Sequence, residues 1–440
     1  MAHTIPAIPL DSWVGILSII VFVVAYLAIV TEEQLHLNKS KPALFAGTLI
    51  FILIGIYYLT TGDGVIPHSL EESVHHLIVE ISAIFFFLFV AMTYIEALIE
   101  RNVFEKLKSN LIAKGYNYKK LFWVTGFIAF FLSPVADNLT TALILSTVLI
   151  TIERENKKFL ILGAINIVVA ANAGGAWSPF GDITTLMVWA AGKGEFVEFL
   201  YLFPASIIGW GITAFLLSLS LPEGSPKSGD NEEKVEILQG GKVIIALGII
   251  TIVTAVLSHQ LFHLPAFWGM MFGLSLLKLY SYFLKKVYNE HINIFDSIAK
   301  IENDTLLFFF GLLGAVGGLS YIGYLASAAE LYTMVDPTYI NIAVGFISAV
   351  VDNVPVMYAV LKANPVLDGT QWMLVTLTAG IGGSLISFGS AAGVGVMGKL
   401  RGIYTFGSHM KYAWAVLVGY IISVGIWYIQ FQMLGLHGSH

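Results

Sequence analysis

Ser133-Pro134-Val135-Ala136-Asp137-Asn138-Leu139-Thr140-Thr141 is a polar word set in apolar sequence, and it returns 215 residues later as Ser348-Ala349-Val350-Val351-Asp352-Asn353-Val354-Pro355. An ionised carboxylate near the middle of a bilayer is costly, so a charge kept there usually serves a pump, a transporter or a proton relay rather than packing. Read singly, an Asp after a proline is as readily the N-cap of a buried helix end. Its duplication at equivalent positions argues against that reading and points to an ion pathway.

The sequence around the two words fixes the solvent. With 57% hydrophobic and 12% charged residues, the chain carries more apolar surface than a soluble domain could bury, so lipid must cover it. Apolar runs at 13–30, 43–60, 80–99, 197–221, 241–258, 264–284, 304–328 and 410–432 are each long enough to cross a bilayer core as a helix. The first run lacks a basic leader and a small-residue cleavage site, and is read as a retained helix rather than a signal peptide. The absence of cysteine removes disulfides, thiolate metal sites and cysteine nucleophiles. Trp13, Trp123, Trp372 and Trp427 suit interfacial belts and apolar packing.

Four further apolar stretches are broken by Pro, Gly and polar residues. Reading 119–152 and 336–363 as re-entrant hairpins, and 157–192 and 371–398 as broken crossing helices, makes the loops alternate consistently. All but Lys193 and Lys362 of the 23 Lys and Arg residues then fall on one side, which the positive-inside tendency makes cytoplasmic, with both termini outside. The same map divides the chain into residues 1–221 and 241–440, joined by a polar cytoplasmic linker at 222–240. Each half holds three helices, a hairpin, a broken helix and a last helix. Five crossings per half turn the second half upside down. The expected fold class is therefore an all-α polytopic membrane protein of two inverted repeats.

The broken helices carry their own repeat. Asn172-Ala-Gly174-Gly175-Ala-Trp-Ser178-Pro179-Phe180-Gly181-Asp182 aligns without gaps on Gly380-Ile-Gly382-Gly383-Ser384-Leu-Ile-Ser387-Phe388-Gly389-Ser390. Gly174, Gly175, Gly181, Gly382, Gly383 and Gly389 let the backbone leave the helix, and Pro134, Pro179 and Pro355 remove donors, so carbonyls and half-helix ends are freed where they must line a cavity or bind something. Interrupted segments at matching positions of two repeats are the best sequence pointer to a transporter's site. Packing by small residues along 380–398 is compatible with that role.

The donors supplied are hard oxygens: the carboxylates of Asp137, Asp182 and Asp352, the amides of Asn138, Asn172 and Asn353, and the hydroxyls of Ser133, Thr140, Thr141, Ser178, Thr184, Thr185, Ser348, Ser387 and Ser390. Such donors suit an alkali cation, and no basic residue lies within the motifs. Asp137 and Asp182 are expected to be ligands and proton carriers, with Asp352 completing a Na⁺ site or acting as charge partner. Asn138 and Asn353 are expected to orient the hairpin tips. A carboxyl removed from water favours its protonated form, so proton and cation can compete for one site, and any proton affinity belongs to the cluster. Glu80 and Asp304 stand at the entrances of equivalent helices as candidate gates or interface residues. His75 and His76 fall in an expected external loop.

Together these motifs resemble the ion transporter superfamily, which includes dicarboxylate transporters and arsenite efflux pumps, and most closely the NhaD family of sodium/proton antiporters. The resemblance rests on Ser133-Pro134, Asp137 to Thr141, Asn172, Gly174-Gly175, Ser178-Pro179, Gly181-Asp182, Thr184-Thr185, Asp352 to Pro355 and Ser387 to Ser390. It implies exchange of cytoplasmic Na⁺ or Li⁺ for external H⁺ across a bacterial inner membrane, with hairpin tips and helix breaks forming the site. It further implies a homodimer, an elevator-like movement of the hairpin-bearing part against a scaffold, no cofactor, no enzymatic activity and no nucleic-acid partner. Its partners are then the lipid bilayer, alkali cations and protons. Arsenite or dicarboxylate cargo is the alternative, against which three aspartates count. An intramembrane aspartyl protease would need Gly-any-Gly-Asp, and Phe180-Gly181-Asp182 lacks the first glycine.

Overall fold

The computed structural model describes residues 8–31, 35, 37–61, 65–226, 235–288 and 303–435. Both chain ends, the middle of the linker and the basic residues Lys227, Lys234 and Lys300 lie outside the described residues. Within them every regular element is helical, as a bilayer requires when no water can satisfy a free backbone group.

α1 (Trp13–Val30) starts where the Ser12 hydroxyl accepts from the Gly15 N–H, and is followed by α2 (Ser40–Thr61) and α3 (His68–Glu100). α3 begins 12 residues before the run expected at 80, so His75 and His76 sit on the exposed start of a helix and not in a loop. The amphipathic α4 (Val103–Ala113) leads to α5 (Tyr118–Ala136), α6 (Asn138–Ile152), α7 (Lys157–Gly175), α8 (Ile183–Ala190), α9 (Phe196–Leu200) and α10 (Phe203–Ser218). Across the linker come α11 (Gly241–Gln260), α12 (Phe267–Tyr288), α13 (Asn303–Ile322) and α14 (Tyr324–Met334). The last six are α15 (Pro337–Val350), α16 (Asn353–Ala363), α17 (Gly369–Gly382), α18 (Ala391–Lys399), α19 (Phe406–Met410) and α20 (Ala413–Trp427).

Among the described residues seven helical stretches are long and apolar enough to cross a membrane, or eight if α13 and α14, bent by 74°, form one span. The bend falls on Gly323, whose φ of +113° a side chain would oppose. The run expected at 264–284 forms α12, but Lys278 and neighbouring tyrosines and serines leave it less apolar than the seven. Trp372 and Trp427 are buried within the protein, in line with apolar packing.

Small residues bring the helices together. α2 crosses α13 where Gly47 lies against the Gly311 carbonyl, and α10 crosses α20 with Gly209 and Gly419 face to face. α5 and α6 form a helical hairpin, closed at its base by the Tyr118 hydroxyl donating to the Glu153 carboxylate. Burial opposes charge on Glu153, but that bond and the N–H groups of Glu155 and Asn156 outweigh it and hold its carboxyl below the usual range. A folded-state pKa below the unfolded one stabilises above the ordinary carboxylate range, and the contribution is lost as pH falls through the folded value. Acid unfolding of the wild type should therefore include a step that Glu153→Gln lacks, readable by tryptophan fluorescence in detergent.

Each hairpin is fastened to one broken helix in the same manner. The Ser133 hydroxyl donates to the Ala171 carbonyl at 2.6 Å, and the Ser348 hydroxyl donates to the Ala379 carbonyl at 2.7 Å. Gly174 abuts the Phe130 carbonyl as Gly382 abuts that of Gly345. α7 stops at Gly175 and the chain resumes as α8 after Asp182; α17 stops at Gly382 and resumes as α18 after Ser390. Asp182 (φ −148°, ψ 148°) and Ser390 (φ −148°, ψ 154°) cap the second halves with nearly the same backbone.

Candidate ion site where hairpins meet broken helices

The hairpin tips are built to present carboxylates. Asp137 has φ +56° and ψ 163°, a conformation costly for any residue but glycine, and its carboxylate accepts from both the N–H and the hydroxyl of Thr140 at 2.8 Å. These two bonds start α6 and hold the tip in place. In the second hairpin Asp352 precedes α16 without capping it, and its buried Oδ1 has no hydrogen-bond partner.

Asp182 is the junction. Its Oδ2 accepts from the side-chain amides of Asn138 and Asn353, both at 2.9 Å, and its Oδ1 accepts from the Thr184 N–H at 3.1 Å. The Asn138 amide also donates to Asn172 Oδ1 at 3.0 Å, and the Asn172 amide donates to the hydroxyls of Ser384 and Ser390, each at 2.8 Å. One buried network thus ties both hairpins to both broken helices, across more than 200 residues of chain. Such a network is strong when every member is satisfied and costly when one is removed. Asn138→Ala should lower stability by about 1–3 kcal/mol, more than Asn353→Ala, because it also strands Asn172 Oδ1. Thermal unfolding of the two purified variants in detergent measures the difference.

A cavity of about 170 Å³ opens beside this junction. Asp137, Asn138, Thr140, Asp182, Asp352 and Asn353 line it. The other expected donors stand behind it. Ser133 and Ser348 pin hairpins to helices, Ser178 donates to the Pro134 carbonyl, Thr185 donates to the carbonyls of Ser178 and Asp182, and Asn172 and Ser390 lie within the network. The buried hydroxyls of Thr141, Thr184 and Ser387 have no partner. Among the described residues no three His, Asp or Glu side chains come close enough to chelate a metal ion, so the three aspartates share a cavity without forming a direct triad.

Three participants were not singled out as site residues in the sequence. Ser384, in the aligned helix break, receives Asn172, and its place beside Gly382-Gly383 was the available signal. Lys39 and Glu96 also line the cavity. Glu80 accepts from the Tyr358 hydroxyl and the Lys362 ammonium, while Asp304 accepts from Asn38 and Ser40. A second cavity of about 530 Å³, lined among others by Glu80, Phe87, Leu186, His259 and Lys362, lies further along α3 and α8. Phe87 at its wall stacks on Phe180, two residues before Asp182, with 5.5 Å between ring centroids.

The family model described as citrate transporter matches residues 26–380. The Na⁺/H⁺ antiporter NhaD of Vibrio cholerae is 45% identical over 94% of this chain and 91% of its own length, and that of Alkalimonas amylolytica is 45% identical over 96% and 92%. Sodium/proton antiporter 1 of Arabidopsis thaliana is 29% identical over 98% of this chain and 74% of its own. Identity at this level along nearly the whole length covers both hairpins and both helix breaks, and the chain belongs to the citrate-transporter family of membrane transporters and, within it, to the NhaD sodium/proton antiporters.

Proposed function

We propose that this chain exchanges Na⁺ for H⁺ across a bacterial inner membrane, with Asp182 as the group for which the two ions compete. The observation that carries the reading is the single oxygen, Asp182 Oδ2, held by an asparagine from each hairpin. An oxygen accepting two amide bonds suits an ionised carboxylate, which only accepts. A proton on Asp182 must be turned toward the cavity or displace an amide, so protonation and the tie between hairpins draw on the same atoms. A Na⁺ ion in the cavity neutralises the carboxylate without that conflict, and its remaining contacts come from neutral oxygens and from Asp137 or Asp352.

Weak gathering of carboxylates is in keeping with a transported ion, which must leave as readily as it enters. The repeated fastening of hairpins to broken helices supports two inverted repeats, 1–221 and 241–440. The closed base at Tyr118 and Glu153 supports a re-entrant first hairpin, and the distribution of lysines and arginines supports periplasmic termini. Two cavities along α3 and α8, with Phe87 stacked on Phe180 near Asp182, suit alternating access. In this reading the hairpins and broken helices move as a body against α1–α4 and α11–α14, in a homodimer that also accepts Li⁺. A citrate-like anion would meet four carboxylates, Asp137, Asp182, Asp352 and Glu96, against the one ammonium of Lys39 in the cavity, and the excess of like charge repels it.

Proteoliposomes with an imposed pH gradient and a pH-sensitive dye test the reading. Addition of NaCl or LiCl should collapse the gradient, whereas KCl and citrate should not, and Asp137→Asn should remove the response while still inserting. Uptake of citrate with no response to alkali cations would overturn the cargo.

A further inference from the structure

Lys39 is an unexpected member of a cavity built from carboxylates. It lines the same 170 Å³ space as Asp137, Asp182, Asp352 and Glu96, and is the one basic residue to do so among the described residues. Its ammonium lies 4.7 Å from the centroid of the Phe308 ring, a placement that holds a cation at a cavity wall. Lys39 and Asp352 are close enough for their charges to interact.

The neighbours of Lys39 are fastened on both sides. Asn38 donates to Asp304 Oδ2 at 2.9 Å, the Ser40 hydroxyl donates to Asp304 Oδ1 at 2.8 Å, and the Ser40 N–H donates to Asn38 Oδ1 at 2.9 Å. A single carboxylate at the start of α13 therefore clamps the residues before and after Lys39. Ordering a long side chain costs rotamer freedom, and a clamped backbone with an aromatic wall lowers that cost.

We propose that Lys39 is a built-in cation of the ion cavity, presented by the Asp304 clamp, which offsets part of the charge of the three aspartates and so sets the Na⁺ concentration at which exchange runs. The inference rests on the antiport reading and makes Lys39 a positioning and specificity residue for it. Without a fixed positive charge the carboxylates hold an entering Na⁺ more strongly and release it more slowly. Because the ammonium is part of the protein, it lowers the negative charge of the empty cavity by one unit, and the bound state is poised for exchange.

The test is the Na⁺ dependence of proton flux in proteoliposomes carrying wild type, Lys39→Met, Lys39→Arg or Asp304→Asn. A unit charge within about 10 Å at an effective dielectric of about 20 shifts binding by roughly tenfold, so Lys39→Met should lower the apparent KM for Na⁺ by about that factor. Lys39→Arg should restore the wild-type KM, and Asp304→Asn should move it in the direction of Lys39→Met by a smaller factor. A Na⁺ titration of thermal stability in detergent reads the same affinities without transport, and should show Lys39→Met responding at lower Na⁺. An unchanged KM in Lys39→Met with only a reduced maximal rate, or an arginine variant that behaves like methionine, overturns the proposal. A wild type without Na⁺-dependent flux overturns the antiport reading instead, so the two failures are distinct.

Discussion

Asp182→Asn is expected to reduce Na⁺-driven proton flux to the level of protein-free liposomes while leaving a folded protein. The asparagine side chain has the shape of the aspartate, and its oxygen can occupy the Oδ2 position and accept from Asn138 and Asn353. Its amide then faces the Thr184 N–H, so the loss is one helix-cap bond, about 1 kcal/mol. What disappears entirely is the charge and the exchangeable proton. Asp182→Ala differs because it leaves two buried amide donors without an acceptor, at about 1–3 kcal/mol each, and should be visibly less stable. Flux assays paired with thermal unfolding separate the two variants. Wild-type flux in a well-folded Asp182→Asn protein would remove Asp182 from the exchange and leave Asp137 or Asp352 as the carrier.

The residues that line the candidate cavity stand out in the sequence because their chemistry contradicts their surroundings. Asp137-Asn138 and Asp352-Asn353 stand out from apolar sequence whatever the helix boundaries are, and Gly174-Gly175 and Gly382-Gly383 announce breaks by local backbone chemistry alone. Pairing was not legible. That Asn138 and Asn353 share one oxygen of Asp182, and that Asn172 reaches Ser384 and Ser390, depends on folding the second half onto the first. Lys39 was hidden for a related reason. Its sequence neighbours make it an ordinary basic flank, and the carboxylate that bonds Asn38 and Ser40 on either side of it, Asp304, lies 265 residues away. The early start of α3 at His68 escaped because Glu71, Glu72, His75 and His76 interrupt the apolar run while remaining good company for an exposed helical turn. Apolarity marks where lipid begins, whereas the helix continues until its hydrogen bonds end.

Gly174→Ala and Gly382→Ala are each expected to destabilise the protein by about 1–3 kcal/mol and to remove most of its exchange activity, although neither residue touches the cavity. A methyl group at Gly174 would overlap the carbonyl of Phe130, and one at Gly382 would overlap that of Gly345. Both obstacles are main chain and have no rotamer to yield, so the hairpin must back away from its broken helix. The displacement acts on the Ser133 or Ser348 bond nearby and then on the tip, where Asn138 or Asn353 reaches Asp182 over 2.9 Å. A hydrogen bond of that length tolerates little retreat. Gly55→Ala is the control: it lies in α2 with open space around it, and alanine there should be neutral or stabilise by up to about 1 kcal/mol through helix propensity. Thermal unfolding and Na⁺-driven flux of the three variants decide the matter. Similar losses in Gly174→Ala and Gly382→Ala mean that both hairpins hold the one carboxylate and that the repeat is functional on each side. Loss in only one of them means that a single hairpin positions Asp182 and the other merely resembles it.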